Sequence, residues 1–466
     1  MLLALTTSHW LSLHGLVTVS ALLVYVVASH VLHQRRHPSA AIGWVLFIFL
    51  LPYAGLPLYL FFGRRKLARV GRAPMAAPAR GADERAWPAA VAAALGQPRP
   101  VRYRDLCIHA DGARSLNALL ELFDGAQRSL DVCNFLLGRD HVGEAVIARL
   151  AARARAGVRV RLLLDGIGRM MGGWPNLSAL RRAGVEVGLF APMLHFDVRG
   201  RTNLRNHRKF AVADADSADA RMWCGGRNLA AEYFQAKPGG AAWHDLSFDL
   251  KGPLARQAAE LFRRDWTFAT GGEPAATSDE SAPATSGFDD SAQIIASGPD
   301  QADDTVHALL VSAAYRARER MVLVSPYVLL DDALLMALCL AARRGVAVDL
   351  LLPARSNHRL ADVARHRTLR ALAGAGVRIR LAPRMLHAKA VIVDDVLALA
   401  GSTNLDSRSL FLNFEMMVAF HDARDVARFR SWIEGECADA TLYDARPPGL
   451  LRDFVEGLVL WIGFQI

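Results

Sequence analysis

The chain has 466 residues, of which 52% are hydrophobic and 21% are charged, and its formal net charge at pH 7 is +10. This length is too great for one compact core, and this composition excludes an intrinsically disordered chain. Five cysteines without a CxxC spacing argue against a disulfide framework or a zinc site.

Two long apolar runs lie at the start of the chain. Trp10–Val31 spans 22 residues and Ala40–Phe62 spans 23 residues without Asp, Glu, Lys or Arg. A helix needs about 20 such residues to cross a bilayer. Residues 1–66 are therefore predicted to form a transmembrane hairpin, with spans at about 10–31 and 40–62. A cleaved signal peptide is disfavoured because no basic residue precedes Arg35.

Basic residues follow each apolar run. Arg35 and Arg36 occupy the predicted turn, and a larger cluster follows the second run: Arg64, Arg65, Lys66, Arg69 and Arg72. The positive-inside rule places the larger cluster, together with the rest of the chain, in the cytoplasm. The same cluster would attract anionic lipid headgroups.

Two segments lack large apolar residues and divide the rest of the chain. Residues 67–100 are rich in Ala, Pro and Arg and are predicted to form a tether. Residues 271–290 contain EPAATSDESAPATSG and are predicted to form a linker. The predicted units are residues 101–270 before this linker, residues 291–445 after it, and an apolar tail at 446–466.

The two units on either side of the linker resemble each other. Each contains a strand, an amphipathic helix and a buried apolar strand, which is typical of a parallel βαβ unit. A duplicated α/β unit is therefore predicted. The matched pairs are SLDVCNFLL (129–137) with MVLVSPYVL (321–329), LAARARAGVRVRLLLD (150–165) with LCLAARRGVAVDLLLP (338–353), and AGVEVGLFAPM (183–193) with AGVRIRLAPRM (375–385).

A three-residue motif recurs at a constant offset of 180 residues. Its members are His207, Lys209 and Asp214 in the first copy and His387, Lys389 and Asp394 in the second. GGRN and GSTN follow, ending at Asn228 and Asn404, and their offset of 176 gives the first copy four extra residues. Only 5 of the 55 basic residues are lysines, and two of these occupy the motif. Chance is therefore a poor explanation.

The spacing of the motif indicates phosphodiester chemistry. Residues i and i+2 of a strand share one face, so each histidine and its lysine address the same side. A pseudo-twofold relation would bring two imidazoles, two ammonium groups and two asparagine amides together. One histidine would attack phosphorus, the other would protonate the leaving alkoxide, and Lys and Asn would hold the non-bridging oxygens. An alcohol or water would then resolve the phosphohistidine. A single His-x-Lys is usually structural, whereas a duplicated set is not.

The paired motifs resemble those of the phospholipase D superfamily, and their surroundings are similar to one branch, the bacterial cardiolipin synthases. The likeness covers nearly the whole chain and implies an α/β fold of two tandem phospholipase-D-like halves, pseudo-twofold related mixed sheets flanked by helices, with one shared site. The stretches that carry it are RRHPSAAIGWVLFIFLLPYAGLPLYLFFG (35–63), RNHRKF (205–210), SGPDQADD (297–304), SPYVLLDDALL (325–335), LHAKAVIVDD (386–395) and GSTNLDSRSLFLNFE (401–415).

The resemblance implies a phosphatidyl transfer without metal, nucleotide or other cofactor. One phosphatidylglycerol would donate its phosphatidyl group to the enzyme and release glycerol, and a second would accept it to give cardiolipin. The partners would be phosphatidylglycerol and anionic membrane lipid, not nucleic acid. The location implied is the bacterial inner membrane, as a multi-pass protein with a cytoplasmic catalytic domain. The oligomeric state is not readable from the sequence.

The resemblance also implies roles for individual residues. By family analogy His207 is the nucleophile and His387 the general acid/base, although the sequence does not settle this order. Asn228, Asn404 and Ser402 would bind the phosphate. Asp245 and Glu415 would each orient a histidine. Asp214 and Asp394 belong to the motif but are expected to brace their hairpins.

Three departures from the family pattern bear on specificity. Gly226 stands where many members have Ser, His244 replaces the usual Arg beside Asp245, and the first hairpin is longer, at Asp216–Ala220. None removes a catalytic group, but they leave the headgroup preference open. Four alternatives stay open. They are a lipid hydrolase, a transferase with another alcohol acceptor, a nuclease whose positive charge attracts nucleic acid, and a catalytically inactive lipid-binding relative.

The carboxyl-terminal segment 450–466 is apolar but short. Its uncharged run after Glu456 has 10 residues, too few to span a bilayer. Phe454, Leu458 and Trp461 recur at near-helical spacing. The segment is predicted either to lie in the membrane interface or to dock on the protein's own surface.

Overall fold

The computed structural model describes residues 2–31, 38–62, 84–191, 203–235, 242–272 and 290–463. The predicted basic flanks at 35–36 and 64–72 and most of the predicted linker at 271–290 lie outside these residues. The chain starts with α1 (Leu2–Val31), α2 (Pro38–Leu50), α3 (Pro52–Phe62) and α4 (Trp87–Ala94).

The first half of the body contains eight strands and five helices among the described residues. They are β1 (Val101–Arg102), β2 (Arg104–His109), α5 (Gly112–Gly125), β3 (Ser129–Asn134), α6 (His141–Arg155), β4 (Arg159–Asp165), α7 (Gly166–Met171), α8 (Leu177–Arg182), β5 (Glu186–Phe190), β6 (Phe210–Ala213), β7 (Arg221–Gly225), β8 (Ser247–Lys251) and α9 (Pro253–Thr270).

The second half follows the same plan and ends in an additional helix. Its elements are β9 (Ser291–Ser297), α10 (Thr305–Arg316), β10 (Arg320–Val324), β11 (Val328–Leu329), α11 (Asp332–Arg343), β12 (Ala347–Pro353), α12 (Arg359–Gly374), β13 (Arg378–Ala382), β14 (Ala390–Val393), β15 (Leu397–Gly401), β16 (Leu405–Asp406), α13 (Ser407–Phe411), β17 (Glu415–Phe420), α14 (Ala423–Glu436), β18 (Thr441–Leu442) and α15 (Leu450–Gly463).

The two large sheets have the same strand order. The first sheet runs β2-β8-β7-β6-β3-β4-β5, and the second runs β9-β17-β15-β14-β10-β12-β13 with β1 and β18 added at its edges. In each sheet the strands β3-β4-β5 or β10-β12-β13 are parallel, and the remaining pairs are antiparallel. The predicted α/β fold of two related halves is confirmed. The four extra residues of the first copy lie between β6 and β7.

Aspartate caps position several helices that cover these sheets. Asp140 accepts the backbone N–H groups of Val142 and Gly143 at the start of α6. Asp331 accepts the N–H of Ala333 at the start of α11, which is the equivalent helix of the second half. Such caps satisfy N–H groups that have no partner inside the helix, and so they fix where the helix begins.

An apolar core joins the two halves. It contains Phe210 and Phe248 from the first sheet together with Ile392 and Phe420 from the second. Two further cores lie on the outer faces of the sheets, one in each half. The halves therefore meet through buried apolar side chains. This packing fixes the positions of the two motif segments relative to each other.

The predicted transmembrane hairpin is not supported by the structure. The second apolar run is divided at Leu51 into α2, of 13 residues, and α3, of 11 residues, and each is shorter than the roughly 20 residues that a span requires. Pro52 begins α3, because proline tolerates the first helical position but lacks the N–H that would continue α2. Among the helices described, none combines the length and apolar character needed to cross a membrane.

The end of the predicted tether and the start of the predicted first half both pack on the second half. Trp87 and Ala92 of α4 are buried in the outer core of the second half. Val101 of β1 pairs with Ala292 of β9 rather than with the first sheet. Alanine-rich composition predicted a tether at 67–100, but in α4 the small side chains permit close packing.

Candidate active site

Each motif histidine lies where one half crosses to the other. The backbone N–H of His207 donates to the Phe414 carbonyl at 2.9 Å, and the N–H of His387 donates to the His244 carbonyl at 2.6 Å. The next residues along the partner segments are Glu415 and Asp245. Backbone pairing between the halves therefore places a carboxylate beside each histidine.

Glu415 holds His207 from the second half. The Nδ1 atom of His207 lies 2.9 and 3.1 Å from the two carboxylate oxygens of Glu415. Burial raises the pKa of Glu415, but His207 and Lys209 outweigh it and keep the pKa below its usual value. Burial lowers the pKa of His207 more than Glu415 raises it. An ionised glutamate thus orients a neutral imidazole, leaving Nε2 toward the site.

Asp245 holds His387 from the first half. The Nδ1 atom of His387 lies 2.6 Å from Asp245 Oδ2. Burial raises the pKa of Asp245, but Lys389 and His387 outweigh it and bring the pKa to about 2. Burial, together with Lys389, lowers the pKa of His387 to about 3. The two histidine–carboxylate pairs are therefore equivalent, each with one partner from either half.

The two lysines differ in what they contact. Each lysine donates through Nζ to the carbonyl of its motif histidine, Lys209 to His207 at 2.6 Å and Lys389 to His387. Lys389 Nζ lies in addition 2.8 Å from Nδ1 and 3.0 Å from Nε2 of the His387 ring. Burial lowers the pKa of Lys209 to about 7 and that of Lys389 to about 8. Both ammonium groups are buried, and among the described residues neither donates a hydrogen bond to a carboxylate, which favours an anionic ligand.

Backbone bridges between residues 206 and 414 and between residues 244 and 386 bring the two motif copies to one site. After the larger effect of burial, Lys389 lowers the pKa of His207, and Lys209 lowers the pKa of His387. The site holds two lysines, two carboxylates and two neutral histidines, so its own charges balance. His207 is the more accessible histidine, with 14% of its side chain exposed against 5% for His387.

The predicted phosphate-binding residues divide into two types. The side-chain oxygens of Asn228 and Asn404 are buried and have no hydrogen-bond partner among the described residues. Ser402 is already engaged, since its hydroxyl donates to Glu415 Oε2 at 2.5 Å and accepts the Met416 N–H at 3.0 Å. The geometry therefore gives Ser402 a positioning function on Glu415.

The motif aspartates lie at the far ends of the strands that follow the lysines. Asp214 accepts the backbone N–H groups of residues 127–129, and Asp394 accepts those of residues 318–320, all within 3.0 Å. Both aspartates have φ near +50°, where a side chain that bonds the backbone compensates the strain. This geometry matches the expected bracing of each hairpin.

Gly226 occupies the position equivalent to Ser402. A Cβ atom there would lie 2.9 Å from Asp245 Cγ and nearer still to Oδ1. In the second half the longer Glu415 receives the serine hydroxyl instead. Glycine with aspartate and serine with glutamate are thus two ways of filling the same space beside a histidine.

Aromatic rings cover both histidines, and no spacing pattern in the sequence marks them. Phe135 packs edge-on against His207, with ring centroids 5.3 Å apart. Tyr233 and Trp243 lie against His387 at 5.1 and 5.5 Å. These rings restrict water around both imidazoles. Phe135 falls within the repeated strand segment, which was the one available sequence indication.

Two buried arginines at the site were also not predicted from the sequence. Arg208, between the motif His and Lys, pairs with Asp265 and donates to the Glu415 carbonyl at 3.0 Å. Arg227 donates to the carbonyls of His109, Ala110 and Tyr233. Their hydrogen bonds to carbonyl groups fix the backbone beneath the site. Neither arginine stands in a sequence pattern that distinguishes it from an arginine on the surface.

A possible metal-ligand cluster lies away from this site. Cys107, His109 and Asp249 bring one ligand atom each within 4.8 Å of one another, and no other such group occurs in the described ranges. They lie on β2 and β8, at the outer edge of the first sheet. His109 Nε2 lies 2.5 Å from Asp249 Oδ1 and already uses this carboxylate.

The chain matches a described family over most of its body. Residues 119–266 and 310–436 match the family described as "Cardiolipin synthase, PLD-like domain". Residues 21–64 match the family described as "Phospholipase D-nuclease N-terminal". These ranges include both motif copies and part of the first apolar run.

Two curated relatives are similar over nearly the full length. The chain is 31% identical to the cardiolipin synthase A of Pseudomonas aeruginosa (strain LESB58), over 94% of this chain and 92% of that one. It is 31% identical to the cardiolipin synthase A of Shigella boydii serotype 4, over 95% of this chain and 94% of that one.

A solved structure shares the fold at low identity. The phosphatidylserine synthase of Haemophilus influenzae Rd KW20 superposes with a TM-score of 0.60 at 12% identity, covering 82% of this chain and 100% of that one. At this identity the likeness concerns the fold alone, and it agrees with the two-half architecture described above.

Proposed function

We propose, because the chain belongs to the phospholipase-D-like cardiolipin synthase family, that it joins two phosphatidylglycerol molecules into cardiolipin and releases glycerol. One observation carries this proposal: two neutral histidines, each held by a carboxylate of the other half, lie beside two buried lysines. A phosphodiester would supply the anion that these lysines lack.

His207 is the proposed nucleophile. Its Nδ1 is held by Glu415 at 2.9 Å, so Nε2 is directed at phosphorus, and its ring is the more accessible one. In His387 both ring nitrogens lie near Lys389 Nζ, which hinders an attack. His387 is therefore proposed to protonate the leaving glycerol and then to accept the proton of the incoming hydroxyl.

The bound phosphate adjusts the proton affinity of the acid. Free His387 is neutral at pH 7 because its pKa is near 3. A phosphodiester anion between the two lysines would raise the pKa of His387, since it adds negative charge beside the ring. His387 would then take up a proton from solvent when substrate binds and pass it to the leaving glycerol.

The asparagine amides and aromatic rings support transfer over hydrolysis. Asn228 and Asn404 have buried side-chain oxygens without a partner in the part of the chain that the structure describes. Glycerol hydroxyls can donate to them while the amide N–H groups bind phosphate oxygens. Phe135, Tyr233 and Trp243 restrict water around the phosphohistidine.

The amino-terminal helices are proposed to attach the enzyme to the bacterial inner membrane, with the body in the cytoplasm. Leu16, Val19 and Leu23 of α1 and Phe49 of α2 are apolar and more than half exposed. A lipid bilayer is the apolar phase in which such side chains are stable. The unit boundaries at 101–270 and 291–445 are likewise proposed, with β1 at the start of the first unit added to the sheet of the second.

A product assay tests the function. The purified full-length protein is incubated in detergent micelles with labelled phosphatidylglycerol and EDTA, and the lipids are separated by chromatography. Cardiolipin with stoichiometric glycerol is expected. Phosphatidic acid as the sole product would make the protein a hydrolase, and turnover that requires an added divalent ion would contradict the phosphohistidine mechanism.

A further inference from the structure

The carboxyl-terminal helix α15 docks through a buried glutamate and exposes large apolar side chains in its first turns. Glu456 is buried and accepts Arg370 of α12 at 2.6 Å and Arg452 of its own helix at 2.8 Å. Leu450, Leu451 and Phe454 are between 69% and 94% exposed. A surface helix normally buries its apolar side, so this orientation indicates that another apolar phase covers the outer side.

Helix α12 connects this apolar side to the active site. Leu450, Leu451 and Val455 line a cavity of about 730 Å³ with Val363 of α12. At the beginning of α12, the Tyr327 hydroxyl donates to Asn357 at 2.5 Å. Tyr327 is followed by Val328, which pairs with Leu405, and Leu405 directly follows the predicted phosphate-binding residue Asn404.

The first half also has exposed apolar side chains near a helix beside the active site. Helix α7, followed by α8, connects β4 to β5, where α12 alone connects β12 to β13. It packs against the Phe135 backbone, where a Cβ on Gly168 would overlap the carbonyl, and Phe135 lies against His207. Met171 and Trp174 after this contact are both more than half exposed. Each half thus has exposed apolar side chains on a helix that lies next to an active-site segment.

We propose that these two groups form one membrane-docking surface, named here the mouth surface, which places the active-site entrance against a phospholipid bilayer. Its residues are Met171, Trp174, Leu360, Leu450, Leu451 and Phe454. The inference rests on the proposed function, because only a lipid substrate requires the entrance to face a bilayer.

Charge and composition favour an anionic bilayer over a second protein copy. Arg169 lies over the Trp174 ring at 4.9 Å, and Arg359, Arg367 and Arg452 on α12 and α15 are exposed. Tryptophan and arginine beside aliphatic side chains are typical of the headgroup level of a membrane. Two copies meeting through this surface would bring the same arginines together, and like charges repel.

Two variants remove the apolar side chains without adding charge. Leu451→Asn/Phe454→Asn changes the second-half group, and Met171→Asn/Trp174→Asn changes the first-half group. The matched control is Tyr315→Asn/Met336→Asn, since these side chains are 51% and 60% exposed on α10 and α11, outside the mouth surface. Unchanged melting temperatures would show that each variant folds.

The measurement is a ratio of two rates for the full-length protein reconstituted in vesicles. One rate uses long-chain phosphatidylglycerol within the bilayer, and the other uses short-chain phosphatidylglycerol added as monomers in water. Loss of two exposed apolar side chains should lower the bilayer-to-monomer ratio by about tenfold in each variant, while the control keeps the wild-type ratio.

Three outcomes would overturn the inference. Wild-type ratios in both variants would show that the entrance does not depend on this surface. Equal losses with both substrates would indicate damage to the site rather than to docking. A halved particle mass in detergent would assign the surface to a second copy. Absence of turnover by the wild-type protein on either substrate would instead refute the proposed function.

Discussion

The space beside Asp245 gives the sharpest test of the site. Gly226 has an ordinary φ, and a Cβ there would lie 2.9 Å from Asp245 Cγ. Carbon atoms pack at about 3.5–4.0 Å. Gly226→Ala should therefore displace the carboxylate by about 0.6–1.1 Å, enough to break its 2.6 Å hydrogen bond to His387.

The expected consequence is a loss of kcat with little loss of stability. A misplacement of about 1 Å in a catalytic group costs on the order of 100-fold in rate. Phosphatidyl transfer is measured together with the melting temperature. Gly374→Ala, where nothing lies within 4 Å of the added Cβ, is the matched control.

A double variant separates the geometric explanation from general damage. Gly226→Ser with Asp245→Glu recreates the Ser402–Glu415 pair of the second half, in which the hydroxyl donates to the carboxylate at 2.5 Å. The rate of this double variant should be at least tenfold higher than the rate of Gly226→Ser alone. A fully active Gly226→Ala protein, or a rate loss that follows the melting temperature, would refute this reasoning.

Three further predictions follow from the same geometry. His207→Ala and His387→Ala should each reduce phosphatidyl transfer below a few per cent of wild type, and greater residual activity in either would exclude the two-histidine mechanism. Burial lowers the pKa values of Lys209 and Lys389 to about 7 and 8. Both side chains lose their charge as the pH rises, so kcat/KM should fall between pH 7 and 9. A flat profile of kcat/KM to pH 10 would contradict phosphate binding by these lysines. Asp394→Ala removes three hydrogen bonds to backbone N–H groups and should lower the free energy of unfolding by about 2 kcal/mol in denaturant titration, with kcat of the folded protein retained; a large loss of kcat would place Asp394 in the chemistry.

Repetition made the fold predictable. The three motif pairs share one offset of 180 residues because the four extra residues of the first copy follow Asp214, and the offset falls to 176 at Asn228 and Asn404. Alternation along the strands then indicated that His and Lys face one side. Strand order was readable only through the resemblance, since pairing between distant segments leaves no periodic signal.

The contacts between the halves could not be read from periodicity. Glu415 is the residue that orients His207, but nothing in its own neighbourhood distinguishes it from a structural glutamate, and the resemblance alone supplied it. Arg208 is fully buried by Asp265 and the Glu415 carbonyl. In an arginine-rich chain such a residue is expected on the surface, so burial by a partner from a distant segment is invisible locally.

Composition misled the prediction where context decides structure. The alanine-rich end of the predicted tether forms α4, because Trp87 finds an apolar surface on the second half. The run at 40–62 is apolar throughout, but Pro52 divides it into two short helices. Hydropathy counts residues and does not register where a helix must end.

The exchange of carboxylates explains why this site requires the duplication. If Asp245 and Glu415 oriented the histidines of their own halves, the imidazole of one half could stay ordered while the imidazole of the other half moved. Instead, each histidine is bonded to the opposite half through both its backbone N–H and its Nδ1 atom. A rearrangement of either half therefore disturbs both imidazoles at once. Since the proposed chemistry needs one histidine to attack and the other to transfer a proton, this coupling keeps the two groups in register around one phosphorus atom.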